Sequence, residues 1–259
     1  MTHRIWIRSI LCLAALVALS AAGAVAQATP TKLLVRVVAH DAKIIGSGVG
    51  GARVTIRDAE SGAVLAEGVQ QGSTGNTTAI MKKPWERGAT IFDSEGAASF
   101  LATLKLAKPT WVEVSAEGPL DTPQAMQRGS KTFLMVPGVD IVGEGLLIEL
   151  NGLRVEVESP AAHAELAGRR IPVRARVTML CGCPTEPDGL WNSDHKTITA
   201  RLVRDGEVVA EGALRFAGKT SQYETTLTAP DAGTYELQVI AVDPTRANNG
   251  MATRIVTIR

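Results

Sequence analysis

The sequence predicts an all-β protein that consists of two tandem β-sandwiches behind a signal peptide. Apolar and polar residues alternate with period two in many short runs, which is the pattern of strands with one buried face. Turn residues separate these runs at short intervals, and no window shows a long apolar period of 3.6 residues. Val, Thr, Ala and Gly are plentiful while aromatic residues are scarce, which favours short strands over a helical bundle.

Residues 1–26 have the features of a secretory signal peptide. Arg4 and Arg8 provide a positive start, an apolar run follows, and Ala24-Val25-Ala26 matches the A-x-A cleavage pattern. The apolar run is shorter than the roughly 20 residues that a membrane helix requires, and no later segment is long and apolar enough to cross a bilayer. We therefore expect a periplasmic or secreted protein without a membrane span, in a compartment where disulfides form.

Charge and motifs limit the function classes. The chain has 27 Lys and Arg and 26 Asp and Glu, so the mature charge is about −1 once Arg4 and Arg8 leave. This balance gives no reason to expect nucleic acid or an anionic membrane as a partner. The sequence contains no P-loop, dinucleotide fingerprint, nucleophile elbow or H-E-x-x-H motif. It therefore favours a non-enzymatic protein without a cofactor, whose partner is an envelope protein or a small ligand.

The first module, residues 31–151, contains strand runs such as LLVRVVAH, a hairpin in ARVTIRDAESGAVLAEG, and the pair ASFLATLKL and TWVEVSAEG. GGARVTIRDAESGAVLAEG, followed by DSEGAASF, resembles the carboxypeptidase-regulatory-like, transthyretin-like sandwich family. That resemblance implies a module that binds, spaces or stabilises. The segment 70–90 is rich in Gly, Thr and Lys, and we expect it to be a long exposed loop. Trp85 is interpreted as an anchor of this loop, with exposure to solvent or packing onto a partner as the alternative.

The second module, residues 152–259, has seven predicted strands: LRVEVES, IPVRARVTML, KTITARLVRDG, EVVAEGALRF, QYETTLTA, TYELQVIAVD and MATRIVTI. Asp205-Gly206 predicts a two-residue hairpin turn. PDAGTYELQV resembles the tyrosine corner of immunoglobulin-like domains, with Tyr235 as the corner residue. Leu237 occupies the position where antibody-type domains carry a cysteine. We therefore expect an immunoglobulin-like sandwich that core packing alone holds together, without an inter-sheet disulfide.

Cys181 and Cys183 follow the second strand of this module, which runs from about 171 to 180. Its inward face carries Val173, Ala175, Val177 and Met179, and both cysteines continue that face. In one interpretation the cysteines only extend a buried strip, because free cysteine is often buried. In the other, Gly182 bends the chain and a disulfide closes, which is the state we expect after export.

Two loops of the second module bring further candidates to the same place. The loop after the second strand (PTEPDGLWNSDH) and the loop before the last strand (DPTRANNG) emerge at one end of an immunoglobulin-like sandwich. Strand direction places this end beside the first module. Trp191 is a candidate anchor for a partner and equally a cap on the core beneath its loop. The predicted contact surface consists of Trp191, Asp194, Asn248 and Asn249.

A thiol-based site is the alternative function. One residue between the cysteines is too few for a usual zinc site, but soft ligands suit Cu(I). The candidate copper or redox set is Met179, Cys181, Cys183, His195 and Met251. Thiol–disulfide exchange is a further use of the pair, and an all-β accessory architecture disfavours a Cys–His nucleophile.

The motif CGCP…W with NNG is also similar to a pattern of exported bacterial proteins with this two-module design. That resemblance implies a shared site around Cys181, Cys183, Pro184, Trp191 and Asn249-Gly250. Our prediction is therefore a binding or accessory protein of the bacterial cell envelope that makes contact through the loops of its second sandwich.

Overall fold

The computed structural model describes residues 27–259, and these form two β-sandwiches one after the other along the chain. The predicted signal peptide, residues 1–26, lies outside the described residues. The all-β fold class is confirmed, since sheets account for every long element of the described chain. Within residues 27–259 no helix has the length and apolar character that a bilayer crossing requires.

The first sandwich has a three-stranded sheet with strand order β4-β1-β7 and a four-stranded sheet with order β3-β2-β5-β6. Its strands are β1 (Thr29–Ala39), β2 (Ala52–Asp58), β3 (Val64–Gln70), β4 (Phe100–Leu106), β5 (Thr110–Gly118), β6 (Gln127–Met135) and β7 (Ile141–Leu150). Strands β1 and β7 pair in parallel, whereas the other pairs are antiparallel. Alternation explains the packing: on β5 the side chains of Val112, Val114 and Ala116 are fully buried between the sheets.

The segment between β3 and β4 is only partly the exposed loop that the sequence predicts: residues 82–90 are exposed, but Ile80 and Phe92 are buried. It folds onto the outer face of the three-stranded sheet and forms a second, smaller core there. This core consists of Val38, Ile44, Ile80, Phe92 and Ala98. Gln70, at the end of β3, is fully buried. Its side-chain oxygen accepts a 2.7 Å hydrogen bond from the amide of Val37, and its side-chain N–H donates to the carbonyl oxygen of Val37 at 2.9 Å. The apolar residues of the segment are too irregularly spaced for a periodicity argument to detect this core.

The second sandwich has a four-stranded sheet, β13-β14-β10-β8, and a five-stranded sheet, β12-β11-β15-β16-β9. Its strands are β8 (Leu153–Ser159), β9 (Ala164–Leu166), β10 (Arg170–Met179), β11 (Thr197–Arg204), β12 (Glu207–Ala213), β13 (Arg215–Phe216), β14 (Gln222–Thr228), β15 (Gly233–Asp243) and β16 (Asn248–Ile258). The seven predicted strands all occur. The run EVVAEGALRF is divided between β12 and β13, which belong to different sheets, and β9 is an additional short strand parallel to β16.

Two local features of the second module agree with the predictions from the sequence, the Asp205-Gly206 turn and the tyrosine corner. Asp205 and Gly206 both have positive φ angles, 53° and 83°, as a tight hairpin turn requires. The hydroxyl group of Tyr235 donates a 2.7 Å hydrogen bond to the carbonyl oxygen of Asp231, which is the geometry of a tyrosine corner. The guanidinium group of Arg204 lies 4.1 Å from the centre of the Tyr235 ring. Leu237 is fully buried where a cysteine would stand in an antibody domain.

Candidate functional site

The Cys181–Cys183 pair closes a tight turn directly after β10. The two sulfur atoms form a disulfide, and the Cα atoms lie 5.4 Å apart. The amide of Gly182 donates to the carbonyl oxygen of Met179 at 2.8 Å, and the amide of Met179 donates to that of Cys183 at 3.0 Å. Both cysteines are buried. The turn is therefore compact, and its sulfur atoms are largely removed from solvent.

Gly182 is the point at which this turn meets the first module. Its φ angle of 77° lies in the left-handed region that favours glycine. A Cβ atom at Gly182 would lie 2.8 Å from Cγ1 of Val49, a buried residue in the short helical turn Ser47–Val49. The close approach of the two modules at this point therefore depends on the missing side chain.

We expect Gly182→Ala to lower the free energy of unfolding by about 1–3 kcal/mol through backbone strain and to weaken the contact with Val49 as well. Gly206→Ala is the matched control, because Gly206 has a φ angle of 83° but no neighbouring atom within 4 Å of the added Cβ. Urea denaturation of both variants measures the difference. Equal losses for the two variants would contradict a role for the Val49 contact.

Trp191 makes a second contact between the modules. Its side chain is 7% exposed, and the indole N–H donates a 2.9 Å hydrogen bond to the carbonyl oxygen of Asp41 in the first module. Asn192 supports this position, because its side-chain oxygen accepts from the amide of Asp194 at 2.9 Å and so caps the turn Ser193–His195. The side chain of Trp191 therefore packs against the first module, and little of its surface is left exposed.

Asn248 provides a third contact and is fully buried. Its side-chain N–H donates to the carbonyl oxygen of His40 at 3.1 Å, and its side-chain oxygen accepts from the amide of Gly152 at 2.8 Å. One amide group therefore joins the end of β1, the connection between the modules, and the start of β16. Next to it, Arg246 forms an ion pair with Asp41 at 2.6 Å.

Arg154 on β8 reaches the first module from another direction. Its guanidinium group donates to the hydroxyl group of Thr122 at 2.5 Å and lies 3.3 Å from the carboxylate of Asp121. The buried apolar residues of both modules form one continuous cluster, which includes Val49, Leu153, Cys181 and Trp191. These contacts define the module junction, the interface at which the loops of the second sandwich pack against the first.

Lys196 and Asp243 form a buried ion pair behind the junction that the sequence analysis did not identify. Their charged atoms are 3.3 Å apart, and both side chains are almost completely removed from solvent. Burial raises the pKa of Asp243, but the hydrogen bond from Thr245 and the nearby ammonium charge of Lys196 outweigh it, so this pKa lies below its usual value. No sequence signal could have identified the pair, because four strands, β11 to β14, lie between the partners along the chain.

The other predicted site residues have different positions. Asp194, His195 and Asn249 are exposed, Met251 is 47% exposed, and Met179 is fully buried in the core. The part of the chain that the structure describes has no group of three or more His, Cys, Asp or Glu residues that could hold a metal ion. Both thiols are in the disulfide, and copper binding stays a prediction.

A crevice of about 250 Å³ opens at the edge of the junction. Trp191 forms part of its wall, and the exposed side chains at its mouth include Leu190, which is 46% exposed, and His195. Arg246 and Asp41, which pair with each other, also line the crevice. The crevice thus places the exposed side chain of Leu190 beside polar and charged groups, and the contacts of the module junction hold its walls in place. Such a surface suits noncovalent contact with a partner.

These features define an all-β protein of two closely joined sandwiches with a polar crevice at their junction. No protein-family model and no curated protein sequence matches the chain. Among solved structures, the chain is similar to an engineered protein, with 18% identity over 48% of this chain and a TM-score of 0.32. It spans 24% of the length of that engineered protein.

Two other solved structures cover most of this chain. The Dpr2 Ig1-Ig2 complex with DIP-Theta Ig1-Ig3 is 12% identical over 89% of this chain and 99% of the other, with a TM-score of 0.28. Fibronectin(III)-like modules of Clostridium thermocellum CbhA are 14% identical over 86% of this chain and 87% of theirs, with a TM-score of 0.27. Similarities of this size carry no argument about this chain.

Proposed function

We propose that the protein is an exported, non-enzymatic binding or accessory protein of the bacterial cell envelope, and that it makes contact through the mouth of the junction crevice. The contact surface consists of Leu190, Asp194 and His195 in the loop after β10, with Asn249 at the start of β16. Trp191 and Asn248 support this surface from below through their bonds to the first module.

The observation that carries the proposal is the exposed Leu190 beside a crevice whose walls the junction holds in place. An apolar side chain at a fixed position contributes contact area, and little conformational freedom is lost when a partner covers it. The neighbouring Asp194 and His195 make no side-chain ion pair within the described residues and are exposed, so they are available to a polar rim.

A photo-crosslinking amino acid at Leu190 tests this proposal in the cells that produce the protein. We expect one discrete covalent adduct from position 190, recovered in the periplasmic or secreted fraction, and a weaker adduct when Asp194→Ala is added. Val208 is the matched control position, because it is 49% exposed on β12. The proposal is wrong if positions 190 and 208 give the same adducts, or if position 190 gives none.

A further inference from the structure

A second crevice, of about 310 Å³, lies in the first module beside the small core beneath the segment that joins β3 and β4. Its floor is apolar and includes Val38, Ala42, Ile80 and Phe92. Trp85 and Lys83 stand at its mouth. We call this cavity the Trp85 crevice. Its volume is near the lower end of the range for small-molecule sites, so it suits a single ring or a short acyl chain.

Trp85 is exposed yet fixed in place. Its side chain is 59% exposed, although the indole N–H donates a 3.0 Å hydrogen bond to the carbonyl oxygen of Ile80. Its ring also meets the ring of Phe92 edge to face, with centroids 5.7 Å apart. A loop residue that served only as an anchor would bury its ring. Trp85 instead leaves much of its ring surface available to a ligand.

Two charged side chains secure the segment that carries Phe92. Arg36 is buried in the sheet beneath, forms a 2.6 Å ion pair with Asp93, and donates to the carbonyl oxygen of Ala98 at 3.3 Å. The carboxylate of Glu144 accepts hydrogen bonds from the amides of Ile91 and Phe92. The crevice wall is therefore tied to the sheet before any ligand arrives, which lowers the entropic cost of binding.

The charges around the crevice indicate the sign of the ligand. Two carboxylates line the crevice: Asp41 pairs with Arg246, and Glu149 lies 2.9 Å from Nδ1 of His40, whose imidazole is a cation only when it is protonated. In contrast, Lys83 is exposed and has no carboxylate within 4.0 Å among residues 27–259. Lys83 is therefore a cation at the mouth that is available to pair with an anionic group of a ligand.

We propose that the Trp85 crevice binds a small amphipathic anion, which consists of a carboxylate or phosphate on a single ring or a short acyl chain. The apolar part occupies the floor above Ile80 and Phe92 and packs against the Trp85 ring. The anionic group pairs with the ammonium group of Lys83. The same chemistry is present in free organic acids and in anionic lipids. This site adjoins the junction crevice, with which it shares Asp41, but the residues that would hold the ligand are different, and it goes beyond the proposed function.

Equilibrium dialysis of the protein without its signal peptide against octanoate tests the proposal. We expect saturable binding of one octanoate per chain, and binding of n-octyltrimethylammonium, which has the same chain and the opposite charge, weaker by about tenfold or more. Lys83→Glu and Trp85→Ala should each weaken octanoate binding to a similar extent. Lys131→Glu and Trp111→Ala are the matched controls, since both residues are exposed on the other sheet.

The outcomes separate the sources of the ligand and can overturn the proposal. Competition by phosphatidylglycerol vesicles but not by phosphatidylcholine vesicles assigns an anionic lipid, whereas octanoate binding that neither vesicle reduces assigns a free acid. Non-saturable binding, equal binding of the two charge types, or crevice variants that behave like their controls would each show that the Trp85 crevice is not an anion site.

Discussion

Replacement of Trp191 by alanine is expected to destabilise the protein by about 3–5 kcal/mol, in the range of buried Trp→Ala substitutions. The substitution removes a buried ring from the continuous core of the two modules and leaves the carbonyl oxygen of Asp41 without its indole partner. Because the ring lies between the modules, we also expect their unfolding to separate. A single cooperative transition of the parent protein would become two transitions.

Differential scanning calorimetry and urea denaturation, followed by two spectroscopic probes, measure both effects. Trp111→Ala is the matched control, because Trp111 is 58% exposed on β5 and should cost little. Trp191→Phe keeps most of the ring but removes the N–H donor, so it should lose less stability than Trp191→Ala. If Trp191→Ala unfolds in the same single transition as Trp111→Ala, Trp191 does not couple the modules.

The second large effect is expected from Lys196→Met. This change leaves the carboxylate of Asp243 buried without its ammonium partner, and removal of one member of a buried ion pair costs about 3–5 kcal/mol. The hydroxyl group of Thr245 and the amide of Arg246 still donate to Asp243, at 2.8 and 3.3 Å, and reduce the loss without cancelling it. The double variant Lys196→Met/Asp243→Asn should lose less stability than Lys196→Met alone.

The contribution of Asp243 to the free energy of unfolding should depend on pH with opposite sign in the parent protein and in Lys196→Met. In the parent protein the pKa of Asp243 is lowered, so its contribution is present above the unfolded value of about 3.9 and is lost as the pH falls through the folded value. In Lys196→Met the lowering partner is gone and burial raises the pKa. The penalty in that variant should therefore diminish as the pH falls and Asp243 is protonated.

Urea denaturation of the parent protein and of Lys196→Met, at several pH values between 3 and 8, measures both effects. This range includes the unfolded carboxylate pKa of about 3.9. Lys131→Met is a control for the loss of an exposed lysine. Equal stability of Lys196→Met and Lys131→Met at neutral pH would show that the buried pair makes no net contribution. An unchanged difference across the pH range would show that Asp243 does not titrate as proposed.

Several parts of the structure could be predicted from local sequence because their causes are local. Alternation locates strands such as β5 and β10, since one face of each strand must be buried. Asp205-Gly206 forms the expected turn because both residues tolerate positive φ angles. Tyr235 makes its hydrogen bond to Asp231, only four positions away along the chain. In each case the residues that interact are close in sequence or follow one period.

The division of EVVAEGALRF shows where this reasoning ends. The run continues without an obvious break, but β12 pairs with β11 and β13 pairs with β14, so the chain changes sheet within it. Likewise, the β3–β4 segment has a loop-like composition and yet buries Ile80 and Phe92. Both outcomes depend on which surfaces the rest of the fold leaves uncovered.

By itself, then, the sequence determined the strand-rich architecture, the positions of most of the long strands and the tyrosine corner, because alternation and turn chemistry act within a few residues of each other. Only the tertiary structure decided the role of the candidate site. Trp191 and Asn248 bond to Asp41 and His40, which lie about 150 and 208 positions away, and Lys196 finds Asp243 inside the fold. Contacts over such distances depend on how the two modules meet, and no local pattern of residues records that geometry.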